Sequence, residues 1–119
     1  MGFFKSTSTA LEDPQGDAAK LREWCAQMPG IEQISNCCIR DHKRVAGVVE
    51  SIKLVPREHT CLLQVEIFDG SDRITGIWYG RRKIPGIDLG RRIILEGTMC
   101  WLEDSRLQII NPAYELLAA

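Results

Sequence analysis

Apolar and polar residues alternate with a period of two from Leu62 to Gly80, LLQVEIFDGSDRITGIWYG. Leu63, Val65 and Ile67 interleave with Gln64, Glu66 and Phe68; after Asp69-Gly70-Ser71-Asp72, Ile74, Gly76 and Trp78 interleave with Thr75, Ile77 and Tyr79. Alternation on both sides of an Asp-Gly turn predicts a β-hairpin. Val65, Ile67, Ile74 and Trp78 make one apolar side, predicted to face the core. The other side would present Glu66, Phe68, Thr75, Ile77 and Tyr79, which is greasier than an ordinary solvent face. Function is expected there.

Around this hairpin the pattern changes period. Leu21, Trp24, Cys25 and Met28 fall at i, i+3, i+4 and i+7, predicting a helix over 17–28 that Pro29-Gly30 ends and that packs on its own domain. Residues 1–16 lack periodicity and are expected to form a flexible N-terminal arm. Ile31 to Asp41 suggests a short buried connector. Arg44 to Val55 is a β-branched run too long for a simple strand, and Gly47 inside it predicts a bend. Arg91 to Leu102 repeats that design with Gly97, and Arg106 to Ile110 alternates as a short last strand that Asn111-Pro112 stops. Ala113 to Ala119 reads as a tail. The sum is a mainly β domain over 17–119: five strands over 43–112 curling into a closed or partly open barrel, with an N-terminal α-helix.

The 119 residues carry 45% hydrophobic and 26% charged side chains, ordinary proportions for one globular domain. A formal charge of −1 excludes a global basic field, so polynucleotide binding would depend on local clustering. Five cysteines without a CxxC pair or secretory signal read as reduced thiols in a cytoplasmic protein. No apolar run approaches the ~18 residues of a membrane span. His42 and His59 lack any catalytic or metal-ligating setting, so neither an enzyme nor a cofactor or metal is expected.

Five segments follow one another in order: Val45-Ala-Gly-Val-Val, Val65-Glu-Ile-Phe-Asp-Gly, Ile74-Thr-Gly-Ile-Trp-Tyr-Gly, Leu89-Gly-Arg-Arg-Ile-Ile-Leu-Glu-Gly and Asn111-Pro-Ala-Tyr-Glu. This order, over about Lys43 to Glu115, resembles the OB-fold nucleic-acid-binding domains of the tRNA-anticodon-binding type. It is similar in particular to the wedge domain of RecG-type branch-migration helicases. The resemblance implies a five-stranded OB-fold barrel that grips single strands or junctions across its second and third strands. The turn departs from the family pattern, with Asp72 at the place of a usual second glycine. No GxxxxGK[ST] phosphate loop occurs, so no helicase motor is present in this sequence.

Single strands are held by rings that stack on bases and by cations that follow phosphates. Phe68 and Tyr79 are the candidate rings, unless the helix or a dimer partner covers them; Thr75 and Ile77 share their predicted face. The candidate cations are Lys53, Arg57, Arg73, Arg81, Arg82 and Lys83, with Arg91 and Arg92 further on; as a run they also fit plain solvated surface. Glu66 and Glu103-Asp104 would repel phosphate. The expectation is weak, salt-sensitive binding of single-stranded DNA or RNA. The alternative is a protein-interaction or homodimerisation domain using the same face or a sheet edge. Trp24, Trp78 and Trp101 are expected in the core or plugging the barrel ends.

Overall fold

A computed structural model describes residues 14–101 and 106–118. The arm lies almost wholly outside the described residues, as does the Glu103-Asp104-Ser105 loop. The described residues are mainly β, with one helix, α1 (Pro14–Ala26), and six strands: β1 (His42–Arg57), β2 (Thr60–Phe68), β3 (Arg73–Tyr79), β4 (Arg92–Trp101), β5 (Leu107–Ile110) and β6 (Ala113–Leu116). A single 3₁₀ turn, Ile34–Asn36, lies in the connector after the helix.

Sheet order is β1-β2-β3-β5-β4-β6, and a further β1–β4 pairing closes the first five strands into a ring. All pairs are antiparallel except β3–β5. β1 makes the closure possible because it serves two neighbours: β4 over His42–Val48, then β2 from Val48 to Arg57. Gly47 sits beside the residue where the partners change. A Cβ there would stand 2.7 Å from the Phe68 carbonyl oxygen, so the close approach of β2 requires glycine. Three residues on, the register slips between Val49 and Ser51, leaving Glu50 as a bulge that adds twist.

The predicted inward set is correct. Leu63, Val65, Ile67, Ile74 and Trp78 join Val45, Val49, Ile93, Leu95, Met99 and Ile109 in one buried core. The long connector between β3 and β4 contributes Ile84 and Ile87 to that core. At the other end Asp69, itself buried, accepts from the Ile34 N–H at 2.8 Å and from the Ser71 and Asp72 N–H groups. This carboxylate satisfies three buried or turn donors and ties the connector to the hairpin turn.

Three expectations need correction. Ala113–Leu116 is a strand, not a tail: Asn111 adopts φ +49°, and the chain turns past Pro112 to pair along β4, Ile93 opposite Leu116. A proline stops ladder donation at its own nitrogen, but not the extended course of the next residues. The helix begins and ends earlier than predicted, since Pro14 suits a first turn that needs no N–H partner. Trp101 is no plug; it lies at the outer end of β4, 53% exposed.

The helix stripe packs as predicted. Leu21, Trp24, Cys25 and Met28 cover Ala46 of β1 and Ile94 of β4, with Ile31 and Leu117 at the border. The Arg92 guanidinium lies 4.5 Å above the Trp24 ring. Among the described residues no helix is long and apolar enough to cross a membrane.

Candidate nucleic-acid interface

The helix lies on the β1–β4 side of the ring and leaves the β2–β3–β5 side bare. Residues directly opposite each other in a ladder share a face, so the register lists what that side presents. One row is Lys53, Gln64, Ile77 and Ile110; the next is Val55, Leu62 and Tyr79. Arg57 stands opposite Thr60 at the hairpin end, and Ser51, Glu66, Thr75 and Gln108 form the row on the other side.

The predicted aromatic face is therefore real in position but much smaller in exposed area. Tyr79 is 51% exposed, whereas Ile77 and Thr75 are only 3% and 7% exposed. The difference is one of neighbours. Ile77 and Thr75 have β2 on one side and β5 on the other, but the β3–β5 ladder ends at Ile77 and Ile110, so Tyr79 extends beyond it. There the Tyr79 N–H donates to Asn111 Oδ1 at 3.1 Å, which fixes the backbone beneath the ring. Ile77 and Thr75 cannot be contact residues as expected; they support the floor. Ile110, exposed next to this row, was legible only as the outward member of the Gln108/Ile110 alternation.

Phe68 is half-buried and its ring is already engaged. The Arg73 guanidinium lies 4.4 Å from its centroid, while Arg73 Nε donates to Glu50 Oε1 at 2.7 Å. The Glu50 hydrogen bond holds the Arg73 pKa above its ordinary value. Ring and cation satisfy each other, so neither stands open as predicted.

The remaining cations gather at the Tyr79 end. Arg82 and Lys83 line a shallow open groove of about 660 Å³ with His59, Thr60, Cys61 and Gly80. Two contacts hold its walls together: the Gly80 N–H donates to the Cys61 carbonyl at 2.8 Å, and Cys61 Sγ donates to the Arg81 carbonyl at 3.3 Å. Arg57 projects from the adjoining strand end, and Lys53 lies further along the same face. Lys53, Arg57, Arg81, Arg82 and Lys83 are all exposed, and among the described residues none of them is in an ion pair. Arg91 and Arg92 are elsewhere, on the helix side: Arg91 Nε donates to the Leu117 carbonyl, and Arg92 covers Trp24.

No family model matches the chain, and no curated protein sequence matches it. RecG bound to a three-way DNA junction is similar in structure. The likeness has a TM-score of 0.58 at 14% sequence identity, over 73% of this chain and 12% of that chain. At that identity it is a likeness of fold. The chain spans about an eighth of RecG's length, a small part of that protein.

Cys61 is the cysteine of the groove, whereas Cys25 lies beneath the helix. Burial pushes the Cys25 thiol up to about 12 and the Cys37 thiol up to about 11. Both are poor nucleophiles at neutral pH. Among the described residues no group of three or more His, Cys, Asp or Glu side chains is placed to hold a metal ion.

Proposed function

We propose that this protein is a non-catalytic nucleic-acid-binding module, an OB-fold barrel that binds single-stranded DNA or RNA weakly through the outer face of β2 and β3. The observation that carries the reading is one exposed ring, Tyr79, bordered by unpaired Arg57, Arg81, Arg82 and Lys83. The likeness to RecG, solved on a DNA junction, supports it. One ring stacked on one base contributes about 1–3 kcal/mol, and micromolar affinity needs about 8 kcal/mol, so cations must supply most of the rest. Binding is accordingly weak and falls with salt. The protein works in the cytoplasm.

Fluorescence anisotropy with a labelled oligothymidylate at low salt tests the reading. Titration is expected to saturate in the micromolar range, and a combined Arg82→Ala, Lys83→Ala variant to weaken it and flatten its salt dependence. Absence of any signal at high micromolar protein overturns the proposal.

A second reading, protein interaction, has its own observation. From Ser51 to Arg57, β1 pairs with β2 alone, and Ile52 and Leu54 are exposed along this edge. Lys53, Pro56 and Arg57 in the same stretch are the residues that discourage edge pairing. The edge is the weaker candidate.

A further inference from the structure

The two ends of the bare face differ in electrical character. Along β3, Arg73 lies six residues before Tyr79, a distance of about 20 Å in extended chain. At the Tyr79 end the cations are unpaired. At the Arg73 end each cation faces a carboxylate: Arg73 Nε donates to Glu50 at 2.7 Å, and Arg106 donates to Glu66 at 3.0 Å. Glu66 is the less exposed partner, its side chain 19% exposed against 61% for Arg106. Its charge is partly desolvated, and the guanidinium above it is the group that compensates. The bulge in β1 is what brings Glu50 beside Arg73, because the slipped register leaves this residue unmatched in the ladder.

A phosphate arriving at this end meets arginines whose charge is already offset by a bonded carboxylate, and it has to lie beside that negative charge. From this we infer that Glu50 and Glu66 are internal competitors for phosphate. They occupy Arg73 and Arg106, so that a bound strand is held through its phosphates at the Tyr79 end alone. The inference rests on the proposed single-strand binding. It assigns the two glutamates a role in limiting affinity and footprint rather than in stability, since exposed ion pairs stabilise little.

The test measures anisotropy of a labelled oligothymidylate of about 12 nucleotides, within the span of one OB fold, across a salt series. Glu50→Gln and Glu66→Gln are each expected to tighten binding about fivefold at low salt. Glu50→Gln should also steepen the slope of log K against log salt by about 0.7, one added phosphate contact on a single strand. Glu115→Gln removes the same charge from a carboxylate paired with Arg44 on the far side of the ring, and serves as control. Adding Arg73→Gln to Glu50→Gln should return both affinity and slope to near their original values. Thermal melting verifies that each variant is folded. If wild-type protein binds but the two glutamate variants shift no more than Glu115→Gln, the competitor role is overturned while the binding function stands. If wild-type protein does not bind, both readings fall, whatever the variants do.

Discussion

Two outer faces of one ring have met opposite ends. On the β1–β4 side the outward positions include Ala46 and Ile94, and α1 lays Leu21, Trp24 and Cys25 over them. On the β2–β3–β5 side the outward positions include Gln64, Glu66 and Tyr79, and among the described residues no helix covers them. Small and apolar residues make a dry seam on the first side, whereas the second alternates amides, charges and a ring, which water tolerates. The same strand geometry thus supports a second core on one side and an open surface on the other. What separates them is side-chain chemistry at a few outward positions.

Truncating an outward isoleucine on each side breaks this comparison most directly. Ile94→Ala is expected to cost about 2–4 kcal/mol in urea denaturation, since it opens a cavity beneath the helix. Ile110→Ala, at an exposed position, should cost less than about 1 kcal/mol. Equal losses would mean that the bare face is covered in solution.

Gly70 tests how the helix is seated. It has φ +94°, and a Cβ there would run into the Ala18 carbonyl and the Arg22 backbone of α1. Gly70→Ala is expected to destabilise by about 2 kcal/mol, with faster amide exchange in α1 as the accompanying sign. Tyr79→Ala is the converse, expected to weaken oligonucleotide binding by about 1–3 kcal/mol while unfolding shifts by no more than about 0.5 kcal/mol. An unfolded Tyr79→Ala protein would make the ring part of the core and abolish the distinction between faces.

Under neutral conditions a further effect is silent and shows only at alkaline pH. Cys25, in the helix seam, has its thiol pushed from 9.0 to about 12. Above pH 9 the unfolded chain loses this proton and the folded one keeps it. The stability contributed by the neutral thiol is therefore full below pH 9 and is lost as pH rises toward 12. The expected slope is on the order of 1 kcal/mol per pH unit, and Cys25→Ala should flatten it in alkaline melts. At pH 8 a thiol reagent should label exposed Cys38 promptly and Cys25 only on unfolding.

Much of this was legible in the residues, for identifiable reasons. Period-two alternation placed Val65, Ile67, Ile74 and Trp78 inward, and Gly47 marked where β1 changes partner, because both signals depend on the local chain alone. Thr75 and Ile77 were misplaced because a strand with neighbours on both sides can bury its outward residues too, and no sequence period records that. Phe68 and Arg73 read as two free groups; that Glu50 engages Arg73 follows from a bulge between strands, which is tertiary information. β6 escaped because Pro112 looked like an end. At Tyr79, by contrast, the run Tyr79 to Lys83 carries ring and cations within one short segment, so their exposure at the candidate site could be expected without the fold.

The parallel pairing of β3 with β5 has a consequence in time. Thr75 meets Gln108 and His42 meets Thr98, so ring closure waits on segments far apart in the chain. Loop entropy has to be met before these ladders repay it, which places refolding on the scale of about milliseconds to seconds rather than microseconds. Until β5 arrives, β3 carries an open rank of amides, and that interval is when strand-edge association competes with closure.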